Sequence, residues 1–100
     1  MLEINKIIKL NIDDNYSYDF DKKELYYKNG NVILNKKEMR FFEVLIKNQN
    51  RVTTYEELQN EVWGDDIMTD SALRSLVRNL RKKLPTDIIM NLSGLGYRFV

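Results

Sequence analysis

Apolar and polar residues alternate through the first third of the chain, then settle into spacings of three and four. Ile8, Leu10 and Ile12 alternate with Lys9 and Asn11, and Tyr16, Tyr18 and Phe20 with Ser17 and Asp19. That period of two belongs to strands. Glu24–Lys28 and Asn31–Leu34 flank Asn29-Gly30, a pair suited to the positive φ angles of a tight hairpin turn. A small antiparallel sheet over about 7–34 is therefore expected. Its tyrosines read as sheet-packing residues in preference to a ligand-stacking site.

Three helices follow, over about 36–48, 55–63 and 70–84. Asn35 and Glu38 have the spacing of a capping box, and Met39, Phe42, Leu45 and Ile46 form an apolar stripe behind them. Thr54 and Glu57 repeat the capping signal for a second helix, with Leu58, Val62 and Trp63 as its buried face and Gly64 as its C-terminal cap. Thr69 or Asp70 caps the third helix, and Pro85 prevents it from continuing. At about 100° per residue, Leu73, Leu76, Val77, Leu80 and Leu84 gather on one face of this helix. Ser71, Ser75, Arg78 and Lys82 fall opposite, with Arg74 and Asn79 on the flanks. No acid lies between Ser71 and Leu84, whereas a purely structural helix gains from Glu–Lys pairs four residues apart. After Pro85, Ile88–Ser93, Gly94-Leu95-Gly96 and Tyr97–Val100 read as strand, reversal and strand, a hairpin over about 88–100. A helix–turn–helix followed by such a hairpin is the winged-helix arrangement, giving an α+β fold.

Charge sharpens this picture. The chain of 100 residues has a formal net charge of only +1, but residues 71–98 hold Arg74, Arg78, Arg81, Lys82, Lys83 and Arg98 against the single acid Asp87. That segment carries +5 and the remaining residues −4, a local footprint suited to phosphate. Cys and His are both absent, which removes disulfides, thiolate metal sites and the commonest general base and metal ligand. Asp65 and Asp66 are adjacent carboxylates but have no nucleophile–base pair or phosphate-cradling glycine loop beside them, so no catalytic residue, metal or cofactor is expected. Neither a signal peptide nor an apolar run of ~18 residues is present, and a cytoplasmic, non-membrane protein is expected.

Several stretches resemble one family, the C-terminal DNA-binding domain of OmpR/PhoB-type two-component response regulators. They are Leu34-Asn35-Lys36-Lys37-Glu38, Arg51-Val52 with Thr54-Tyr55-Glu56-Glu57-Leu58, Val62-Trp63-Gly64, Leu80-Arg81-Lys82-Lys83-Leu84, and Gly94-Leu95-Gly96-Tyr97-Arg98-Phe99. They run in the family's order and spacing over nearly the whole chain. The resemblance implies a four-stranded N-terminal sheet, three helices and a wing. It also implies that the third helix enters the major groove of promoter DNA and that the wing lies along the backbone or in the minor groove. The loop Gly64, Asp65, Asp66, Ile67 and Met68 looks like the segment that in several relatives contacts RNA polymerase. Departures from the family are Ser93, where the wing often has Arg; Asn79, where many relatives place a base-contacting Arg; Leu76, often polar elsewhere; and Asn35 in place of Thr. Asn pairs with adenine where Arg favours guanine, so the preferred site is expected to be richer in A·T.

Ser71, Ser75, Arg78 and Asn79 are thus the candidates for base edges. Arg74, Arg81, Lys82, Lys83 and Arg98 are candidates for phosphates, and Ser93, Gly94 and Gly96 form the wing. Lys36, Lys37 and Arg51 read as solubilising charge, with backbone contacts at helix ends as the alternative. The expected reading is one winged-helix domain over 1–100, excised from a protein whose N-terminal receiver domain is not included. It would be monomeric alone and paired on repeated half-sites. The rival is a winged helix used only for protein–protein contact.

Overall fold

The computed structural model describes residues 9–85 and 87–100, and these form two units that divide between Leu34 and Asn35. Ile7 and Ile8 of the expected first strand lie outside the described residues.

The first unit is a four-stranded antiparallel sheet in sequence order: β1 (Lys9–Asn11), β2 (Tyr16–Asp19), β3 (Glu24–Tyr27) and β4 (Gly30–Val32). Leu10, Tyr18, Leu25 and Val32 lie directly across from one another through the successive ladders. An apolar row of this kind fixes strand register. It also moves the last turn. Tyr27 pairs with Gly30, so the two turn residues are Lys28-Asn29, one earlier than expected, and it is Lys28 that takes the positive φ of 56°. Gly30 belongs to the ladder instead. Tyr16 and Tyr27 pack as a tilted pair with ring centroids 4.8 Å apart, in keeping with a sheet-packing role.

In the second unit, α1 (Lys36–Lys47) begins with a complete capping box: Glu38 N–H donates to Asn35 Oδ1 (2.8 Å) and Asn35 N–H to Glu38 Oε1 (2.9 Å). Its buried side is broader than the expected stripe. Phe41, Phe42, Val44 and Leu45 are buried, whereas Met39 and Ile46 are only half-buried. A two-residue strand, β5 (Thr53–Thr54), lies between the first two helices, where the sequence pattern predicts no strand. The helix α2 (Tyr55–Leu58) then widens into a π-helical turn, Gln59–Trp63, closed by Gly64 N–H donating to Gln59 O at 2.8 Å. Leu58, Val62 and Trp63 are buried as expected.

Thr69 caps α3 (Asp70–Lys83), accepting from Ala72 N–H at 3.0 Å. Leu84 leaves the helix at φ −120°, ψ 167°, because the following Pro85 disfavours a helical conformation before it. Leu73, Leu76, Val77, Leu80 and Leu84 are all buried. The hairpin β6 (Ile89–Leu92) and β7 (Gly96–Phe99) completes a three-stranded sheet in the order β5-β7-β6. Tyr97 packs edge-on against Phe41 and Tyr55, and Phe99 against Phe42, so β7 is anchored on α1 and α2. This is the winged-helix fold.

Candidate nucleic-acid interface

Burying its five apolar residues fixes which side of α3 remains open. A helix of 14 residues is about 21 Å long and turns about 100° per residue. On that geometry the polar positions follow one another around the open arc as Arg81, Arg74, Arg78, Ser71, Lys82, Ser75, Asn79 and Lys83. Ser71, Arg74, Arg78, Asn79, Arg81 and Lys82 are exposed, and Ser75 and Lys83 are half-buried. The base-edge candidates Ser71, Ser75 and Arg78 thus share the centre of the arc with Lys82. Arg78 also leans on Ser75, Nη2 to Oγ at 3.5 Å.

The two flanks meet different neighbours. Arg74, Arg78 and Arg81 line a groove of ≈ 360 Å³ with Val77, Asn91 and Tyr97. Arg74 continues into a second groove, ≈ 450 Å³, that reaches Ser93 and Gly94 of the wing as well as Tyr55, Met68 and Asp70. On the other flank, Asn79 faces Asn35, Lys36 and Lys37 at the start of α1 across a groove floored by Trp63, Ala72 and Leu76. The presence of Asn91 beside Arg74 is not evident in sequence. Its signal is strand alternation: Asn91 shares a face with the buried Ile89, pointing towards the helices.

Three of the five phosphate candidates are placed differently from Arg74 and Lys82. Arg81 donates from Nη2 to Ile89 O at 2.7 Å, which ties the helix to β6. Lys83 donates from Nζ to Glu38 Oε1 at 2.7 Å. Arg98 pairs with Met90 and lines a separate groove with Gln49, Asn50 and Val100. It therefore stands on the opposite face of the hairpin from Asn91 and the α3 grooves. Arg98 and Lys83 are not brought together with the centre of the arc, and Arg81, although it shares a groove with Arg74 and Arg78, is committed to the β6 backbone.

The wing reverses through Ser93-Gly94-Leu95, with Gly94 at φ +80° and Leu95 N–H donating to Leu92 O at 2.9 Å. Gly96 has a different reason to be glycine. A Cβ there would lie 1.9 Å from Thr53 O, so only glycine lets β7 pass this close to β5. Tyr55 N–H donates to Leu95 O at 3.3 Å, joining the wing to the start of α2. Burial pushes the Tyr97 hydroxyl above its ordinary pKa, and Tyr55 acts the same way, while Arg81 and Arg74 oppose it. That residue stays neutral beside the arginines.

The loop Gly64–Met68 is braced rather than loose. The Gln59 side chain donates to Gly64 O (3.3 Å) and Asp66 O (2.7 Å) and accepts from Met68 N–H (2.8 Å). Lys37 pairs with Asp66 at 2.9 Å and holds its carboxyl below the usual range. Asp65 is exposed, and Ile67 projects with 82% exposure. Arg51 makes a bidentate pair with Glu57 (2.9 and 2.6 Å), which with the Thr54 N–H lowers the Glu57 pKa to about 2. Lys37 and Arg51 are thereby engaged within the protein, and Lys36 is exposed. Among the described residues no cluster of three or more acids is placed to hold a metal ion, and no helix is long and apolar enough to cross a membrane.

The fold is shared with DNA-binding domains of transcription and response regulators. The sequence profile described as "Transcriptional regulatory protein, C terminal" matches residues 29–99, and the chain belongs to that family. It is 38% identical over 66 residues to the regulatory protein VanRB of Enterococcus faecalis, covering 65% of this chain and 30% of VanRB. Among solved structures, the DNA-binding domain of Bacillus subtilis CssR is 30% identical with a TM-score of 0.75, over 86% of this chain and all of that one. The DNA-binding domain of the response regulator AdeR, in complex with an intercistronic region, is 27% identical with a TM-score of 0.70, over 87% of this chain and 94% of that one. The chain spans 30%, 38% and 36% of the length of three curated relatives, a regulatory protein, a response regulator and a transcriptional regulatory protein.

Proposed function

We propose that the chain works as one domain that binds double-stranded DNA sequence-specifically, as the effector part of a bacterial response regulator controlling transcription. The observation that carries this reading is the open arc of α3. It is some 21 Å of exposed helix with Arg74, Arg78 and Lys82, hydroxyl and amide donors between them, and no acid from Ser71 onward. An α-helix of this width fits the major groove.

In this reading phosphate contacts hold the domain in place and a few side chains read the bases. Arg78, Asn79, Ser71 and Ser75 face base edges, while Arg74 and Lys82 take phosphates. The wing approaches the backbone through Ser93 and Gly94, on the side where Arg74 and Asn91 line the groove. Arg98, on the far face of the hairpin, would reach DNA only from a different approach of the wing. The braced loop with Ile67 at its tip supplies a contact for RNA polymerase. A receiver domain in the full-length cytoplasmic protein brings two copies onto repeated half-sites, since a single module buries only roughly 600–1,000 Å² on DNA.

Binding-site selection with the purified domain tests the reading. A defined motif, richer in A·T where Asn79 reads, supports it. Failure to retard any pooled random duplex at low salt would instead favour a winged helix used for protein–protein contact.

A further inference from the structure

The last turn of α3 is held from both sides. Arg81 and Lys83 are two residues apart, so their side chains leave the helix about 160° apart. Arg81 is tied to β6 through Ile89 O, and Lys83 to α1 through Glu38, 45 residues earlier in the chain. Glu38 is only 2% exposed, and its Oε1 accepts both the Asn35 N–H and the Lys83 ammonium. A capping box needs no charge at this position, since Gln serves equally well. A buried carboxylate without a partner is costly. The charge on Glu38 is therefore explained by Lys83 and not by the cap.

We propose that Lys83 is a positioning residue: with Glu38 it sets the rotation of α3 about its own axis, and so the angle at which Arg78 and Asn79 meet the bases. Asn79 lies one helical turn before Lys83 on the same flank and faces the start of α1, the segment that Glu38 caps. A change in the Glu38–Lys83 distance therefore turns Asn79 directly. This inference rests on the DNA-reading function proposed above, and it assigns to Lys83 a role other than a phosphate contact.

The experiment compares wild type, Lys83→Met, Lys83→Arg, Glu38→Gln and Lys82→Ala on the selected duplex and on a random duplex of equal length, across a salt series. Glu38→Gln keeps the capping acceptor while removing the charge, so it covers the event that Lys83→Met fails to fold. For Lys83→Met and Glu38→Gln, the ratio of specific to non-specific affinity should fall roughly threefold or more. The slope of log K against log salt should not decrease, and Lys83→Arg should restore the ratio. A slope smaller by about 0.9 with an unchanged ratio, the pattern expected of Lys82→Ala, would make Lys83 a phosphate contact and overturn the inference. Lowered thermal stability with slope and ratio both unchanged would also overturn it, leaving a merely structural pair. Wild-type protein that binds neither duplex would overturn the DNA-reading function itself.

Discussion

Replacing Gly96 by alanine tests the junction on which the wing is built. The new Cβ would meet Thr53 O at 1.9 Å, Thr53 C at 2.8 Å and Thr54 Cα at 2.9 Å. All three are backbone atoms, so no rotamer change relieves the overlap, and the strands must part by about 1.5 Å to reach ordinary contact. A shift of that size breaks the two-residue ladder that pairs Thr53 with Tyr97 and Thr54 with Gly96. It also breaks the Tyr55 N–H bond to Leu95 O. Roughly two or three backbone bonds at about 1 kcal/mol each give a loss of roughly 2–3 kcal/mol. For a domain of this size that lowers Tm by on the order of 10 °C or more. Thermal unfolding followed by circular dichroism measures it. Gly94→Ala is the control: φ of +80° but no atom within 4 Å, so it should cost only the left-handed strain of about 1–2 kcal/mol. If Gly96→Ala melted within a few degrees of wild type, and above Gly94→Ala, the close approach of β5 and β7 would not hold.

Other substitutions probe the core, the surface pair and the reading helix. Leu80→Ala removes a fully buried side chain from α3 and should cost about 2–5 kcal/mol in denaturant unfolding. Glu57 has its pKa lowered to about 2 by Arg51 and the Thr54 N–H. Its folded value is below its unfolded one, so its contribution to stability is full above about pH 4.5 and is lost as pH falls towards 2. The stability difference between wild type and Glu57→Gln should vanish over that window in unfolding curves taken at several pH values. Asn79→Ala should relax preference at one base pair, a discrimination of ~1–3 kcal/mol, which site selection on the variant reads out. Lys82→Ala should weaken all duplexes alike.

Much of this was legible in the sequence because it depends on local pattern. Both capping boxes, the exit of α3 before Pro85 and the buried face of Leu73, Leu76, Val77, Leu80 and Leu84 follow from spacing within one helix. The features that escaped depend on distant partners or on very short elements. Strand β5 is two residues long and exists only because Gly96 lets β7 lie against it. On α1, periodicity does not distinguish Met39 from Phe41 as the more buried residue. In the site, the inventory of cations is readable, but their engagement is not. Lys37, Arg51, Arg81 and Lys83 are each committed to a protein oxygen, and among the described residues Arg74 and Lys82 make no ion pair. Glu38 reads in sequence only as the partner in a capping box; its burial is not readable, because carboxylates are rarely buried without a partner and its partner is 45 residues away.

The salt dependence of the domain's affinity for a selected duplex tests the central claim most directly. If α3 lies in the major groove with Arg74 and Lys82 on phosphates, log K should fall linearly with log salt. The slope should be at least as steep as about −1.8, and selected duplex should be preferred over random duplex throughout. Absence of any complex at low salt, or a complex indifferent to salt, would contradict it.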